Sequence, residues 1–208
     1  MESLGKLNLN IIVSLKDNDI KTIESIKNFD VKIHHQSGLG YGNSLKEAIE
    51  TCETDWFCIF NADGSFEKDD LNKMYNLMEN NDFVYTSRYL ENSGSEDDTF
   101  ITFLGNKIFS FLGKIFFSLK INDILYTYVM GSVDAFKKLN VQSNDFKFCV
   151  EMPIKMSVSN MKYDMLPSYE KKRIGGKKKV NAFKDGSLIL YEMVKLFVLY
   201  KILRQKII

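Results

Sequence analysis

The sequence predicts an α/β protein with a mostly parallel sheet that is flanked by helices. Short apolar runs of strand type alternate with amphipathic runs of helical period along the N-terminal half of the chain. One run, Trp56–Phe60, ends abruptly in the polar turn Asn61-Ala62-Asp63-Gly64-Ser65. A buried strand that ends in an acid and a glycine is typical of the carboxyl edge of an open α/β sheet, where such folds bind ligands.

The composition is typical of a single globular domain with a hydrophobic core. The chain has 208 residues, of which 45% are hydrophobic, and its net charge is +1. This balance gives no argument for a nucleic-acid partner. The three cysteines, Cys52, Cys58 and Cys149, have no C-x-x-C spacing, so they predict neither a disulfide framework nor a zinc site. We therefore expect a reducing, cytoplasmic setting.

The first elements form a β-α-β unit. Leu9–Leu15 is strand-like, Asp19 is placed to cap a helix with isoleucines on one face, and Val31–His35 is the next strand. This order implies a parallel strand pair with a right-handed crossover.

A glycine-rich turn, Gly38-Leu39-Gly40-Tyr41-Gly42, follows the second strand, and Asn43 or Ser44 is expected to cap the next helix. Glycines between a strand and a helix can bring backbone N–H groups close to a ligand. The spacing is neither G-x-G-x-x-G nor a P-loop, so a flexible turn is an equal alternative.

Asp63 is a candidate ligand of a divalent cation on a diphosphate. Mg²⁺ or Mn²⁺ needs only one or two protein carboxylates, because phosphate oxygens and water complete its shell. For an isolated N-A-D-G sequence, the alternative is a simple Asx turn. Arg88 follows the next predicted strand, Asp82–Thr86, at the same sheet edge, where its planar guanidinium suits a phosphate.

The next segments are a polar loop at residues 91–98 and an apolar stretch, Thr99–Leu119. Because charged residues and glycines interrupt this stretch, it predicts a core or interfacial helix pair. Asp123–Tyr128 is expected to be a strand or a tight loop, Phe146–Ser157 a helix and Lys162–Leu166 a strand.

The strongest basic cluster, Pro167–Lys179, surrounds the flexible pair Gly175-Gly176. Such a segment can close on a diphosphate, and a solvated or nucleic-acid-binding face is the alternative. Residues 181–208 predict a long C-terminal amphipathic helix with few charges. Its outer face is expected to meet lipid or another copy of the chain.

In this order, the motifs GLGYG, NADGS, SRY, DILY and PSYEKKRIGGKKK resemble those of family 2 glycosyltransferases of GT-A fold. Among these, the chain looks most similar to the polyprenyl-phosphate branch, which includes dolichol-phosphate mannose synthases. The resemblance runs from about Asn10 to about Leu190. It implies a GT-A-like domain at residues 1–180 and a membrane- or partner-facing helix at residues 181–208.

The resemblance also implies a reaction and its site. A sugar would pass, with inversion and with help from Mg²⁺ or Mn²⁺, from a nucleotide sugar to a polyprenyl phosphate or other lipid-linked acceptor. The enzyme would be peripheral to the inner face of the membrane. The residues implied to act in catalysis are Asp63, Arg88, Asp123 and Arg173, with the metal at Asp63 and Asn61. Those implied to bind the nucleotide diphosphate are Gly40, Gly42, Asn61, Ser65, Gly176 and Lys179.

The chain departs from the family pattern in ways that leave an alternative open. An N-terminal strand and helix that the family normally has are expected to be missing. Asn61 stands where the first metal acid is usual, and Lys178 where the closing loop has a serine. The alternative is a catalytically impaired GT-A-like protein that binds at the membrane.

Overall fold

The computed structural model describes residues 9–175 and 181–204. Two predicted nucleotide-binding residues, Gly176 and Lys179, lie outside the described residues. The N-terminal unit consists of β1 (Ile12–Leu15), α1 (Ile20–Ile26) and β2 (Lys32–His35). β1 and β2 pair in parallel, with Ile12 opposite Lys32 and Leu15 opposite His35, as the β-α-β pattern predicts.

Helix α2 spans Tyr41–Glu50 and begins before the expected caps Asn43 and Ser44. Gly40 precedes its first turn at a φ of +112°, in a region that L side chains rarely adopt. A Cβ atom on Gly40 would lie 2.1 Å from the carbonyl oxygen of Asn144. The helix therefore starts at the glycine turn, because the turn packs directly on a distant backbone segment that the local sequence does not reveal.

A four-stranded sheet forms the centre of the molecule, in the order β3 (Trp56–Cys58), β6 (Val129–Ser132), β4 (Phe83–Ser87) and β7 (Tyr163–Pro167). β4 and β7 are parallel, whereas β6 is antiparallel to both of its neighbours. The α/β class is confirmed, although the sheet is mixed. β6 is antiparallel to β4 because the loop before β6 lies at the carboxyl end of β4. There, Asp123 accepts a hydrogen bond from the backbone N–H of Arg88.

Both faces of this sheet are covered. Phe83 and Tyr85 of β4 belong to one apolar cluster, whereas Val84 between them belongs to a second cluster on the opposite face. The second cluster includes residues of α3 (Asp70–Leu77). The first and larger cluster includes residues of α5 (Val133–Leu139), α6 (Phe148–Val158) and α7 (Ala182–Phe197).

Helix α4 spans Phe100–Phe117 as one continuous helix, so the prediction of a helix pair is wrong. Gly113 allows close packing, since a Cβ there would lie 3.2 Å from Leu119, and Gly105 is accommodated with nothing within 4 Å. A capping box between Thr99 and Thr102 begins the helix. Two short strands, β5 (Gly94–Ser95) and β8 (Tyr169–Glu170), pair in parallel nearby.

The C-terminal helix α7 is partly a core element. Its residues Ile189, Met193 and Leu196 are buried in the larger apolar cluster. It continues into a π-helical turn at Val198–Ile202. The opposite face exposes apolar side chains, which include Phe183, Leu190, Tyr191 and Val194.

Candidate active site

Asp63 lies in the turn after β3, as the sequence predicts. Its Oδ1 accepts hydrogen bonds from the Ser65 backbone N–H at 3.1 Å and from the Ser65 hydroxyl at 2.7 Å. Gly64 turns the chain at a φ of +82°. These bonds are those of an Asx turn, and they hold the carboxylate with its second oxygen, Oδ2, directed towards a neighbouring loop.

That loop is the segment after β8, at residues 171–174, and it rests directly on the Asp63 turn. The backbone N–H of Lys171 donates to the carbonyl oxygen of Ser65 at 2.9 Å, and that of Ile174 donates to the carbonyl oxygen of Asp63 at 2.8 Å. Lys171 also forms an ion pair with Glu67 at 2.5 Å. The structure thus brings together two segments about 100 residues apart in sequence, which the motifs predicted separately.

Arg173 places its guanidinium between two carboxylates. Its Nη2 donates to Asp97 at 2.8 Å, and its Nη1 lies 3.5 Å from Oδ2 of Asp63. The hydrogen bond that Arg173 donates to Asp97 raises the pKa of Arg173 above its ordinary value, and the charges of Asp97, Asp63 and Glu170 raise it further. Arg173 is therefore a permanent cation beside Asp63.

Arg88 is at the same edge but is enclosed. Its Nε and Nη2 donate to the two oxygens of Asp123, at 2.9 and 2.8 Å, and its Nη1 donates to Glu170 at 2.9 Å. Asp123 has no exposed side-chain surface, and it also accepts a hydrogen bond from Asn106 of α4. Burial lowers the pKa of Arg88, but the hydrogen bonds to Asp123, together with the negative charges of Asp123 and Glu170, outweigh burial and raise it above the ordinary value.

The glycine turn contacts protein where a ligand was expected. A Cβ on Gly42 would lie 2.5 Å from the carbonyl oxygen of Ser143, and the N–H of Asn43 donates to the carbonyl oxygen of Asn144 at 2.9 Å. Gly40 and Gly42 thus serve close packing on residues 143–145. Their role beside a nucleotide stays a prediction.

The predicted residues fall into two adjoining groups. Asp63, Ser65 and Arg173 are in direct contact, and Arg88 and Asp123 form a second cluster that Glu170 joins to the Arg173 loop. Asn61 is half-buried at the end of the β3 segment. Sequence reasoning did not assign roles to Asp97, Asp98, Asn106 and Glu170. Their sequence context does not indicate a functional role, since Glu170 lies in a basic run and the two aspartates lie in a polar loop.

The site is acidic overall. Five carboxylates, those of Asp63, Asp97, Asp98, Asp123 and Glu170, surround two guanidinium groups. The described side chains of this cluster therefore carry three more negative than positive charges. A diphosphate, which is itself anionic, needs additional cations to enter such a site.

The side chains at the turn fit a divalent cation bound by few protein groups. Within residues 9–175 and 181–204, no group of three or more His, Cys, Asp and Glu side chains is arranged to hold a metal. Among the described residues, Oδ2 of Asp63 has one ionic contact, at 3.5 Å to Arg173, and the Asp63 side chain is 20% exposed. One available carboxylate oxygen suits Mg²⁺ or Mn²⁺ when phosphate supplies the other ligands.

Comparisons with solved structures show what this fold resembles. Mannosyl-3-phosphoglycerate synthase from Rubrobacter xylanophilus aligns over 99% of this chain and 69% of its own, with a TM-score of 0.64 and 15% identity. Glucosyl-3-phosphoglycerate synthase from Mycobacterium tuberculosis, in complex with UDP, aligns over 89% of this chain, with a TM-score of 0.60 and 10% identity. This chain covers only 66% of that structure. At these identities, the likeness concerns the fold.

Sequence comparison identifies the family. No curated protein matches the chain at a significant level. The family model described as Glycosyl transferase family 2 matches residues 3–140, which is well over half of the chain. The polyprenyl-phosphate branch is not distinguished by this match. With the GT-A fold of the structural neighbours, the match establishes that this chain belongs to glycosyl transferase family 2.

Proposed function

We propose that this chain is a glycosyltransferase that moves a sugar from a nucleotide sugar to a lipid-linked phosphate acceptor. The observation that carries the first half is the contact of Asp63 with the Arg173 loop at the carboxyl edge of β3. Family membership supports the same reaction class. Structures of the similar glucosyl-3-phosphoglycerate synthase contain UDP or, in another complex, Mn²⁺, UDP-glucose and phosphoglyceric acid.

Asp63 would hold a divalent cation, with the amide oxygen of Asn61 as a second ligand. Such a cation, when bound, neutralises the leaving diphosphate. Arg173 supplies a second positive charge from the loop that already rests on the Asp63 turn. The protein's own contribution is therefore to position the diphosphate and to stabilise the charge that develops on it.

The proposed reaction is a direct displacement at the anomeric carbon. An oxygen of the acceptor phosphate forms a bond to that carbon while the bond to the diphosphate oxygen breaks, and the diphosphate leaves with the electron pair. A phosphate oxygen is already an anion, so no strong protein base is needed. An acceptor hydroxyl would need one. The enclosed Asp123 and Glu151, each bonded to internal partners, are poor candidates for such a base.

The lipid part of the proposal rests on helix α4, which has polar side chains among its buried residues and apolar side chains on its exposed face. Its inward residues include Asn106, which bonds to Asp123, and Ser110, which accepts from the N–H of Ile124. Its outward residues are apolar with one exception, Lys114. The exposed apolar set is Phe100, Ile101, Phe103, Leu104, Ile108, Phe111 and Ile115. A helix with this pattern is expected to face something other than water.

By length and composition α4 is the one helix of the described residues that could cross a membrane, and 22% of it is buried within the protein. Its polar bonds to the Asp123 loop tie it to the domain, which favours a position in the plane of the membrane interface. Helix α4 also adjoins the carboxyl edge of the sheet, because Tyr89, which follows β4, packs on Phe103 of α4 with ring centroids 5.2 Å apart.

Charge on the two outer helices favours an anionic lipid surface. The exposed charged residues of α4 and α7 are all basic, namely Lys114, Lys184 and Lys195. Of the acids of α7, Glu192 is 2% exposed and pairs with Lys195, and Asp185 accepts from the N–H of Asn181 at the start of the helix. We therefore place the protein at the inner face of the membrane, where anionic lipids attract cations.

The transferase half of the proposal is tested by binding and turnover. We expect a nucleoside diphosphate with Mn²⁺ to raise the melting temperature, whereas a protein that only binds the membrane gains nothing. We also expect label from a nucleotide sugar to appear in an organic-phase product when a polyprenyl phosphate is supplied. Transfer to a soluble phosphorylated acid instead would support the enzyme and contradict the lipid acceptor.

The membrane half is tested with point variants, because deleting α7 would remove core residues. Ile108→Asp places a charge in the middle of the exposed α4 face. Ile20→Asp, at an exposed isoleucine of α1, is the control. We expect Ile108→Asp to weaken sedimentation with phosphatidylglycerol vesicles at least about tenfold, since a buried isoleucine contributes about 1.5 to 3 kcal/mol. Equal binding by both variants would exclude α4 as the docking face.

A further inference from the structure

Arg88 was expected to bind a phosphate, but its guanidinium is occupied by protein groups. All three of its nitrogens donate to carboxylates, two to Asp123 and one to Glu170. The ring of Tyr126 covers one side, with its centroid 4.5 Å from the guanidinium carbon, and Tyr89 lies 5.3 Å away. Only 10% of the side chain is exposed. Little of the guanidinium remains for a ligand.

The charge of this cluster also opposes an anionic ligand. One guanidinium lies between the two carboxylates of Asp123 and Glu170, so the trio has a net negative charge, and Asp98 lies a further 4.0 Å from Arg88. Asp123 is completely buried. If Arg88 turned away to bind a phosphate, it would leave that buried charge uncompensated, which is strongly unfavourable.

We propose that Arg88 is a positioning residue, which ties Asp123 and Glu170 together and so holds the Arg173 loop over Asp63. The inference rests on the proposed function for its meaning in catalysis. Arg88 then acts on the reaction through Arg173 and does not contact the acceptor.

Glu170 is the physical link. Its carboxylate accepts from Arg88 at 2.9 Å and from the Ser95 hydroxyl at 2.5 Å. It ends β8, which has only two residues and pairs with the equally short β5. Such a short ladder is weak, so the side-chain bonds of Glu170 are needed to hold it in place.

The loop begins at the next residue. Lys171 and Ile174 donate their backbone N–H groups to Ser65 and Asp63. The loop is joined to Glu170 directly through the backbone, so the position of β8 affects both bonds. We therefore expect displacement of Glu170 to weaken both bonds and to move Arg173 away from Asp63.

Glu170→Gln is the sharpest test, because it keeps the size of the side chain and removes its charge. Tyr169→Phe is the matched control on the same strand, since its hydroxyl makes only an exposed bond to Glu96. We expect Glu170→Gln to speed amide hydrogen exchange at Lys171 and Ile174 about tenfold or more, and Tyr169→Phe to change it less than twofold. Unchanged exchange in Glu170→Gln would overturn the proposal.

A kinetic comparison distinguishes positioning from phosphate binding. If Arg88 bound the acceptor phosphate, Glu170→Gln would free it and lower the KM for the acceptor. We expect instead that kcat falls about tenfold or more while the acceptor KM changes less than threefold. A lower acceptor KM would refute positioning. The exchange measurement needs no turnover, so an inactive wild-type protein would contradict the proposed function without touching this inference.

Arg88→Lys provides a second variant. A lysine keeps the positive charge but cannot hold both carboxylates in the planar arrangement of a guanidinium. We expect it to accelerate exchange at the same two amides. Normal exchange combined with a raised acceptor KM would instead show that Arg88 is a phosphate ligand.

Discussion

Replacing Asp63 with asparagine is the most direct test of the cation site. Asparagine keeps the Oδ1 acceptor that receives the N–H and hydroxyl of Ser65, so the turn should persist. It removes the negative charge at Oδ2, which is 3.5 Å from Arg173 and is the atom available to a cation. We therefore expect Asp63→Asn to fold normally and to lose metal-dependent nucleotide binding.

The expected magnitudes separate stability from binding. The Asp63–Arg173 pair is partly exposed, and such pairs contribute about 0.2 to 1 kcal/mol, so the unliganded variant should melt only slightly lower. Saturation of the wild type at a ligand concentration of about 100 times Kd adds about 2.7 kcal/mol. For a domain of this size, that gain corresponds to a rise of about 5 to 10 °C in Tm.

Thermal unfolding, measured with and without a nucleoside diphosphate and Mn²⁺, makes the comparison. Asp69→Asn is the matched control, because it makes the same charge change at an exposed residue with no side-chain cap hydrogen bond. The control should keep the full rise in Tm, and a chelator should abolish the rise in the wild type. An equal rise in Asp63→Asn would remove Asp63 from the site and refute the reasoning.

Three further predictions concern the loop, the acid stability and the glycine turn. Arg173→Gln should lower kcat about tenfold or more and weaken nucleotide binding less than threefold, because a closing loop acts mainly in the transition state. Lys172→Gln is the control. Equal losses of kcat and of nucleotide affinity would contradict loop closure. Four hydrogen bonds, led by that from the Ser37 hydroxyl, lower the pKa of Glu47 from 4.5 to about 2. The contribution of ionised Glu47 to the stability of the fold is therefore complete above pH 4.5 and is lost as the pH falls towards 2. In urea unfolding, the wild type should therefore lose more stability than Glu47→Gln between pH 7 and pH 3, by about 1 to 2 kcal/mol after allowance for solvent screening. Identical pH profiles would rule out this contribution. Gly40→Ala should destabilise the fold by at least about 2 kcal/mol, since its Cβ would meet the Asn144 carbonyl and its φ is +112°. Gly105→Ala, where no atom lies within 4 Å of the added Cβ, should stabilise the fold by about 0.5 to 1 kcal/mol. Unchanged stability of Gly40→Ala would show that the turn can rearrange.

Several elements could be predicted because their signals are local. The run Trp56–Phe60 and the following Asp63 turn predicted a strand that ends in a carboxylate at the edge of the sheet, and the structure has both. The apolar stretch Thr99–Leu119 predicted a core or interfacial helix pair, and the structure has one helix there. It did not reveal that Gly105 and Gly113 are compatible with one continuous helix, because that depends on which atoms approach each glycine.

The order of strands and helices, the acidic turn and the basic loop follow from the sequence, because each depends on neighbouring residues and on the period of the apolar pattern. The partners of Arg88 were decided by the tertiary structure. Asp123 and Glu170 lie 35 and 82 residues away from it in the chain, and only the folded sheet edge brings the three together. An isolated arginine motif indicates affinity for an anion. Whether that anion is a ligand phosphate or a carboxylate of the protein depends on which carboxylates the fold buries beside the arginine.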